Sequence, residues 1–368
     1  MNIGILCYPT YGGSGVIATE LGKALAVKGH TIHFISYNQP VRLDTFNENI
    51  FFHEVRFNNY PLFKFPPYET VLTSKIVDVV KNHNLDVLHV HYAIPHAAAA
   101  AMAKNILKKM GIKIKIVTTL HGTDITLVGK DKSFEPVVSH SLFESDVVTA
   151  VSNSLKKETH KYFNFDGEIN VVPNFIDFQR FNKQPKDHFK KMIAPNNEKV
   201  IIHTSNFRKV KRVFDVLEVF RKIAKEIPAK MLFIGDGPER NMLEKECMSS
   251  DMCNDITFLG KQEAVEEILS IADLFIIPSE TESFGLAALE AMACEVPVIS
   301  TNTGGLKEVN IDGVTGFTSD VGDTTKMAKD ALHILKEENL AQFKSLAKMH
   351  SLKYKLDTIL PIYERLYQ

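Results

Sequence analysis

Short apolar runs alternate with helical stretches along almost the whole chain, in two successive series. The first series comprises the runs 3–7, 31–35, 50–55, 87–90, 114–119 and 147–151. The second comprises 200–204, 231–234, 256–259, 274–277 and 297–300. Strands separated by helices predict parallel sheets covered on both faces, because each crossover lays a helix against the sheet. Two series predict two Rossmann-like, doubly wound α/β domains, and a length of 368 residues suits two domains rather than one. The break falls at Val172-Pro173-Asn174 and is followed by the polar stretch 182–199. We therefore place the domains at 1–172 and 173–349. A last segment, 350–368, carries Leu356, Ile359, Leu360, Tyr363 and Leu366 at helical spacing and is expected to pack back on the first domain. Ligands of such sheets lie beyond the carboxyl ends of the strands, here in an interdomain cleft.

Bulk properties exclude several functions. Net charge is −1, so no nucleic-acid partner is expected. No apolar stretch is long enough for membrane insertion. No basic segment precedes the first strand, which argues against a secretory signal. Cys7, Cys247, Cys253 and Cys294 show no C-x-x-C spacing, so a cytoplasmic protein with packing cysteines is expected. Association with further copies of the chain stays open.

The loops after the strands carry the chemistry. Gly12-Gly13-Ser14-Gly15 joins the first strand to the first helix, where glycines admit a ligand close to backbone and helix amides. A plain tight turn would use the same residues. No acidic residue ends the second strand, Ser36-Tyr37-Asn38, which disfavours a nicotinamide cofactor. His89, His91, His96, His121 and Asp124 could suggest a metal hydrolase. Polar strand-end residues lining a cleft are the preferred reading, because no eight-repeat barrel is visible.

In the second half, Arg208, Lys209, Lys211 and Arg212 follow the first strand and suit a diphosphate. Gly235-Asp236-Gly237-Pro238 and Gly304-Gly305 mark turns after two other strands. Glu282-Ser283-Phe284-Gly285-Leu286 leads into a helix carrying Glu290, so two carboxylates eight positions apart bracket a helix N-terminus. The amides of Phe284, Gly285 and Leu286 can bind phosphate or sugar oxygens, and the carboxylates can accept from hydroxyls. These elements point to a nucleotide diphosphate bearing a sugar.

Together these motifs resemble the family 4 retaining glycosyltransferases of GT-B fold, over essentially the whole chain and most strongly over 201–316. The resemblance implies a GT-B architecture, an enzyme without cofactor or metal, and roles residue by residue. Lys211 matches the lysine holding the diphosphate, whereas Asn206 stands where many members carry arginine, so Arg208 or Arg212 would supply the second cation. Glu282 matches the residue facing the donor sugar, Glu290 the ribose-binding carboxylate and His121 the histidine beside the sugar. Gly13 and Ser14 match the loop near the diphosphate and acceptor, and Gly235 is an expected donor contact. Lys211, His121 and Glu282 are thus the expected catalytic residues. Cys7-Tyr8-Pro9, His89-Val90-His91-Tyr92-Ala93-Ile94-Pro95-His96 and Leu120-His121-Gly122-Thr123-Asp124 resemble the branch that joins the sugar of UDP-N-acetylglucosamine to the hydroxyl of L-malate in bacillithiol biosynthesis. Malate is a dianion, and Tyr92, Thr123, Arg42 and Lys64 are its expected contacts. Rival readings are a relative using a lipid, polysaccharide or inositol phosphate acceptor, a UDP-sugar epimerase and a noncatalytic nucleotide-binding module.

Overall fold

The computed structural model describes residues 1–43, 46–57, 67–127, 131–248 and 252–368. The chain forms two compact units, Met1–Asn174 together with Asp357–Gln368, and Phe175–Leu356. In the first unit the strands are β1 (Asn2–Leu6), β2 (Thr31–Ser36), β3 (Ile50–Glu54), β4 (Val87–His91), β5 (Lys115–Leu120), β6 (Val147–Ala150) and β7 (Ile169–Val171). They lie in the order β3-β2-β1-β4-β5-β6-β7. The second unit holds β8 (Lys199–Ser205), β9 (Ala229–Gly235), β10 (Ile256–Gly260), β11 (Leu274–Ile277), β12 (Val298–Thr301) and β13 (Gly316–Ser319). Their order is β10-β9-β8-β11-β12-β13.

Both sheets are parallel throughout. In each, the direction of winding reverses beside the first strand, at β1/β4 and at β8/β11. In sheets wound this way, ligands bind beyond the carboxyl ends of the strands at such a switch point. β7 and β13 are additional to the strands expected from sequence. β7 spans only three residues and β13, Gly316-Phe317-Thr318-Ser319, carries a single large apolar residue, so neither makes a recognisable apolar run.

The helices cover the sheets for the expected reason. In Val213–Ala224, Val213, Val216, Leu217, Phe220 and Ile223 recur at helical spacing and are all buried against Ile201, Met231, Phe233 and Leu274. Each such side chain contributes about 1.5–3 kcal/mol by leaving water. The second unit runs on to Leu356 rather than ending at 349. The cause is the helix Glu337–Ser351, whose Lys344 bonds the buried Asp273 at 2.9 Å and whose Lys348 donates to the Ala293 carbonyl. The helix Leu356–Tyr367 then joins the first unit, where the Tyr367 hydroxyl meets His89 Nδ1 at 2.7 Å. No described helix is long and apolar enough to cross a membrane.

Candidate active site

In the second unit the candidate residues gather at the carboxyl ends of β8, β9, β11 and β12. Lys211 closes a short 3-10 turn, Lys209–Lys211, after β8. Its ammonium meets Glu282 Oε2 at 2.5 Å, and Ser279 Oγ approaches the same oxygen at 3.5 Å. Both side chains are about one-fifth exposed, so the pair is largely but not wholly removed from water. An ammonium has three protons, and the remaining donors of Lys211 can serve an anionic ligand. Arg212 spends its guanidinium on Asp215, at 2.7 and 3.2 Å. Arg208 and Asn206 are exposed. Of the two arginines proposed as the second cation, the geometry therefore favours Arg208.

Two glycines let these loops approach. Gly235 has φ +118°, and a Cβ there would collide with the Ser205 carbonyl oxygen. Gly304 has φ +52°, and a Cβ would strike the Glu282 carbonyl, which accepts the Gly305 amide at 2.8 Å. The loop after β12 is thus laid directly on the backbone of Glu282. Gly285, at φ +97°, caps the helix Leu286–Ala293, whose first-turn amides have no intrahelical acceptors. The Phe284 ring is buried edge-on against Tyr354, anchoring the turn and leaving only its backbone for a ligand. Ala288, Leu289, Ala291, Met292 and Ala293 are buried, whereas Leu286 and Glu290 are partly exposed. Glu290 lies one turn beyond Leu286, on the same face of the helix.

In the first unit, the loops after β1, β4 and β5 meet. The helix Gly13–Val27 begins in the glycine loop, and Ser14 Oγ pairs with the Tyr92 hydroxyl at 2.8 Å. Tyr92 has φ +88°, a costly conformation for an aromatic residue that its surroundings must impose. Its amide donates to Thr119 O at 2.9 Å. Asp124 fastens two loops together by accepting the amides of Ala93 at 2.8 Å and Gly122 at 3.0 Å. Burial pushes its carboxyl up to about 6 against these hydrogen bonds. Thr123 is exposed beside it.

His121 Nε2 lies 2.8 Å from His91 Nδ1. His91 Nε2 is buried without a hydrogen-bond partner among the described residues. A buried orphan N–H costs more than a buried bare nitrogen, so the proton of His91 belongs on Nδ1 and is donated to His121. That leaves His121 protonated at Nδ1, a neutral donor. Part of His121 reaches solvent, yet burial of its ring pushes its pKa down to about 3, so it stays uncharged at neutral pH. Both nitrogens of His89 are engaged, by Tyr367 and by Thr119 Oγ1 at 2.7 Å.

Tyr8, Tyr68 and His96 join this cluster. Tyr8 packs on His96 at 4.6 Å and on Tyr92 at 5.4 Å, and the Tyr68 hydroxyl lies 3.4 Å from His96 Nε2. Tyr8 and His96 belong to stretches with visible motifs, Tyr68 does not, and their proximity depends on the folded sheet. Arg42 is half-buried, and its carbonyl accepts Lys23 Nζ of the helix Gly13–Val27 at 3.2 Å. Lys64 lies outside the described residues.

Comparison with known proteins identifies the family. The family model for glycosyl transferases group 1 matches residues 184–350, and that for Glycosyltransferase Family 4 matches residues 11–180. A relative from Bacillus anthracis, N-acetyl-alpha-D-glucosaminyl L-malate synthase, is 50% identical over 92% of this chain and 89% of its own length. The putative teichuronic acid biosynthesis glycosyltransferase TuaC of Bacillus subtilis is 29% identical over 65% of this chain and 59% of its own. Among solved structures, Anabaena HepE in complex with UDP-glucose superposes with a TM-score of 0.83 at 21% identity, covering 100% of this chain and 99% of that one. Sucrose-phosphate synthase from Thermosynechococcus elongatus gives 0.82 at 19% identity, covering 100% and 98%. The two parallel sheets, the two family models and the 50% identity lead to one assignment: the chain belongs to the family 4 glycosyltransferases and has the GT-B fold.

Proposed function

We infer that the protein moves N-acetylglucosamine from UDP-N-acetylglucosamine to the hydroxyl of L-malate, with retained configuration and without a metal, as the first step of bacillithiol biosynthesis in the cytoplasm. The observation that carries donor binding is the Lys211–Glu282 pair beside the N-terminus of Leu286–Ala293, with Glu290 one turn on. The acceptor follows from the 50% identity to the B. anthracis synthase. On this reading the second unit binds the nucleotide sugar and the first unit binds malate.

The chemistry follows from the charges. As UDP leaves, negative charge grows on its β-phosphate, and Lys211, Arg208 and the helix amides stabilise it without reorganising. Glu282 is paired with an ammonium, which weakens it as a nucleophile, so it accepts from sugar hydroxyls instead. The malate hydroxyl attacks the face from which UDP departs. Its proton passes to the departing phosphate oxygen. His121, neutral and protonated at Nδ1, donates to a sugar hydroxyl. Ser14, Tyr92, Tyr8 and Tyr68 supply hydroxyls around the acceptor, and Arg42 is a candidate for one of its carboxylates.

Two measurements test this reading. UDP release should be rapid with L-malate, and slow with D-malate, lactate or inositol phosphate. Product from inositol phosphate but not malate would reject the acceptor while keeping the transferase. Glu290→Gln should weaken UDP binding by about 1–3 kcal/mol, as expected for a lost charged hydrogen bond. Unchanged affinity by calorimetry would remove Glu290 from the ribose role.

A further inference from the structure

A second histidine cluster lies outside the machinery just described. β2 and β3 pair in parallel with His33 beside Phe51 and Ile35 beside His53. Side chains two apart share a sheet face, so His33 and His53 point to the same side. The helix Tyr68–His83 packs on that side, with Leu72, Ile76, Val79 and Val80 in one core with Ile35. Its last residue is His83. The three histidines therefore meet where the helix ends over the outer strands of the sheet. One ligand atom from each lies within 4.8 Å of the others.

We propose that His33, His53 and His83 form a binding site for one divalent transition-metal ion of the zinc class, with water completing the coordination. Several features support this. His33 Nδ1 and His53 Nε2 face one another at 2.9 Å. Two nitrogens bound tetrahedrally to zinc at about 2.0–2.1 Å stand about 3.3 Å apart, so a small opening admits the ion. The hydrogen bond uses one proton between two rings and leaves the third imidazole to bring a further nitrogen to the same point. The His33 ring is held by stacking on Phe51 at 5.0 Å and 14°, and it lies 4.6 Å from the His83 ring. His33 is buried, whereas His53 and His83 are partly open, which gives an ion a way in. The carbonyl end of a helix favours a cation, and His83 lies in its last turn. Three imidazoles without a carboxylate favour zinc, nickel or copper over magnesium or calcium.

Such an ion would join three elements that are distant in sequence: a strand, the edge strand and a helix end. It would stabilise the first unit by binding only the folded arrangement. It is not required for glycosyl transfer, because none of the three residues belongs to the site above.

The test uses untagged full-length protein, stripped with a chelator and then titrated with zinc against a chromophoric indicator. One ion per chain should bind to the wild type, and thermal unfolding of the loaded protein should shift upward. His83→Gln and His53→Gln should each weaken binding at least tenfold and abolish the thermal shift. His83→Gln should keep wild-type transferase rates in chelator, which shows that its fold is intact. Cobalt in place of zinc should give the intense visible bands of a tetrahedral nitrogen-rich site in the wild type alone. A wild type that takes up no ion, or variants that bind zinc as well as it does, would overturn the proposal.

Discussion

Lys211→Ala should lower kcat by about 10²–10³, the usual loss when one preorganised charge stabiliser is removed from a transition state. The substitution also leaves Glu282 unpaired beside a ligand that carries like charge. KM for the nucleotide sugar should therefore rise as well. Adding Glu282→Gln to Lys211→Ala removes that repulsion but not the loss of stabilisation. The double variant should recover affinity for UDP more than turnover. The residue sits in a half-buried loop turn, so unfolding by urea should be little changed. Normal turnover in Lys211→Ala would mean that Arg208 or the helix amides carry the phosphate charge.

The first unit should lose stability steeply as pH falls below about 6.5. His89, His91 and His96 are fully buried, and desolvation holds all three below the ordinary histidine range, His89 at about 3 and His96 at about 4. The unfolded chain protonates these rings near pH 6.5, whereas the folded chain does not until far lower. The unfolded state binds more protons in that window, so stability rises with pH and is lost on acidification. Each histidine contributes about 1.4 kcal/mol per pH unit once the unfolded form is titrated. Asp124 acts in the opposite direction. Its folded pKa is raised to about 6, so the folded chain gains a proton before the unfolded one does. From these four groups alone the net loss between about pH 7 and about pH 5 is on the order of 4 kcal/mol, and the lowered His33, His53 and His121 add to it. Urea unfolding across that range, followed by a probe in the first unit, measures it. A flat profile would show that these rings are already hydrated or charged in the folded protein.

The central strands were legible because strands buried on both faces must be continuously apolar, as Leu274–Ile277 is. Edge strands carry no such demand; β3 and β10 are apolar enough to read, whereas β7 is only three residues long and β13 has one large apolar side chain, Phe317. The turns of the candidate site were legible because Gly235 and Gly304 stand where backbone meets backbone. The partnerships were not. Lys211 and Glu282 are 71 residues apart, and Ser14 and Tyr92 are 78 apart. Nothing in local pattern says that Arg212 turns to Asp215 while Lys211 does not. Tyr8 and His96 lie in readable stretches, but only the sheet order brings β1, β4 and the helix starting at Tyr68 to one place. His33 and His53 sit inside strands, where single histidines look like ordinary core residues.

The bond from Tyr367 to His89 governs the order in which the chain can be completed during synthesis. His89 lies on β4, at the centre of the first sheet, yet its partner emerges from the ribosome 278 residues later. Until then, the Nδ1 of a buried imidazole has no protein hydroxyl to meet, and the surface later covered by Ile359, Leu360 and Tyr363 faces water. The second unit is one uninterrupted stretch, Phe175–Leu356. The half made first is therefore finished last, and the nascent protein carries an incompletely sealed leading half throughout translation of the trailing one.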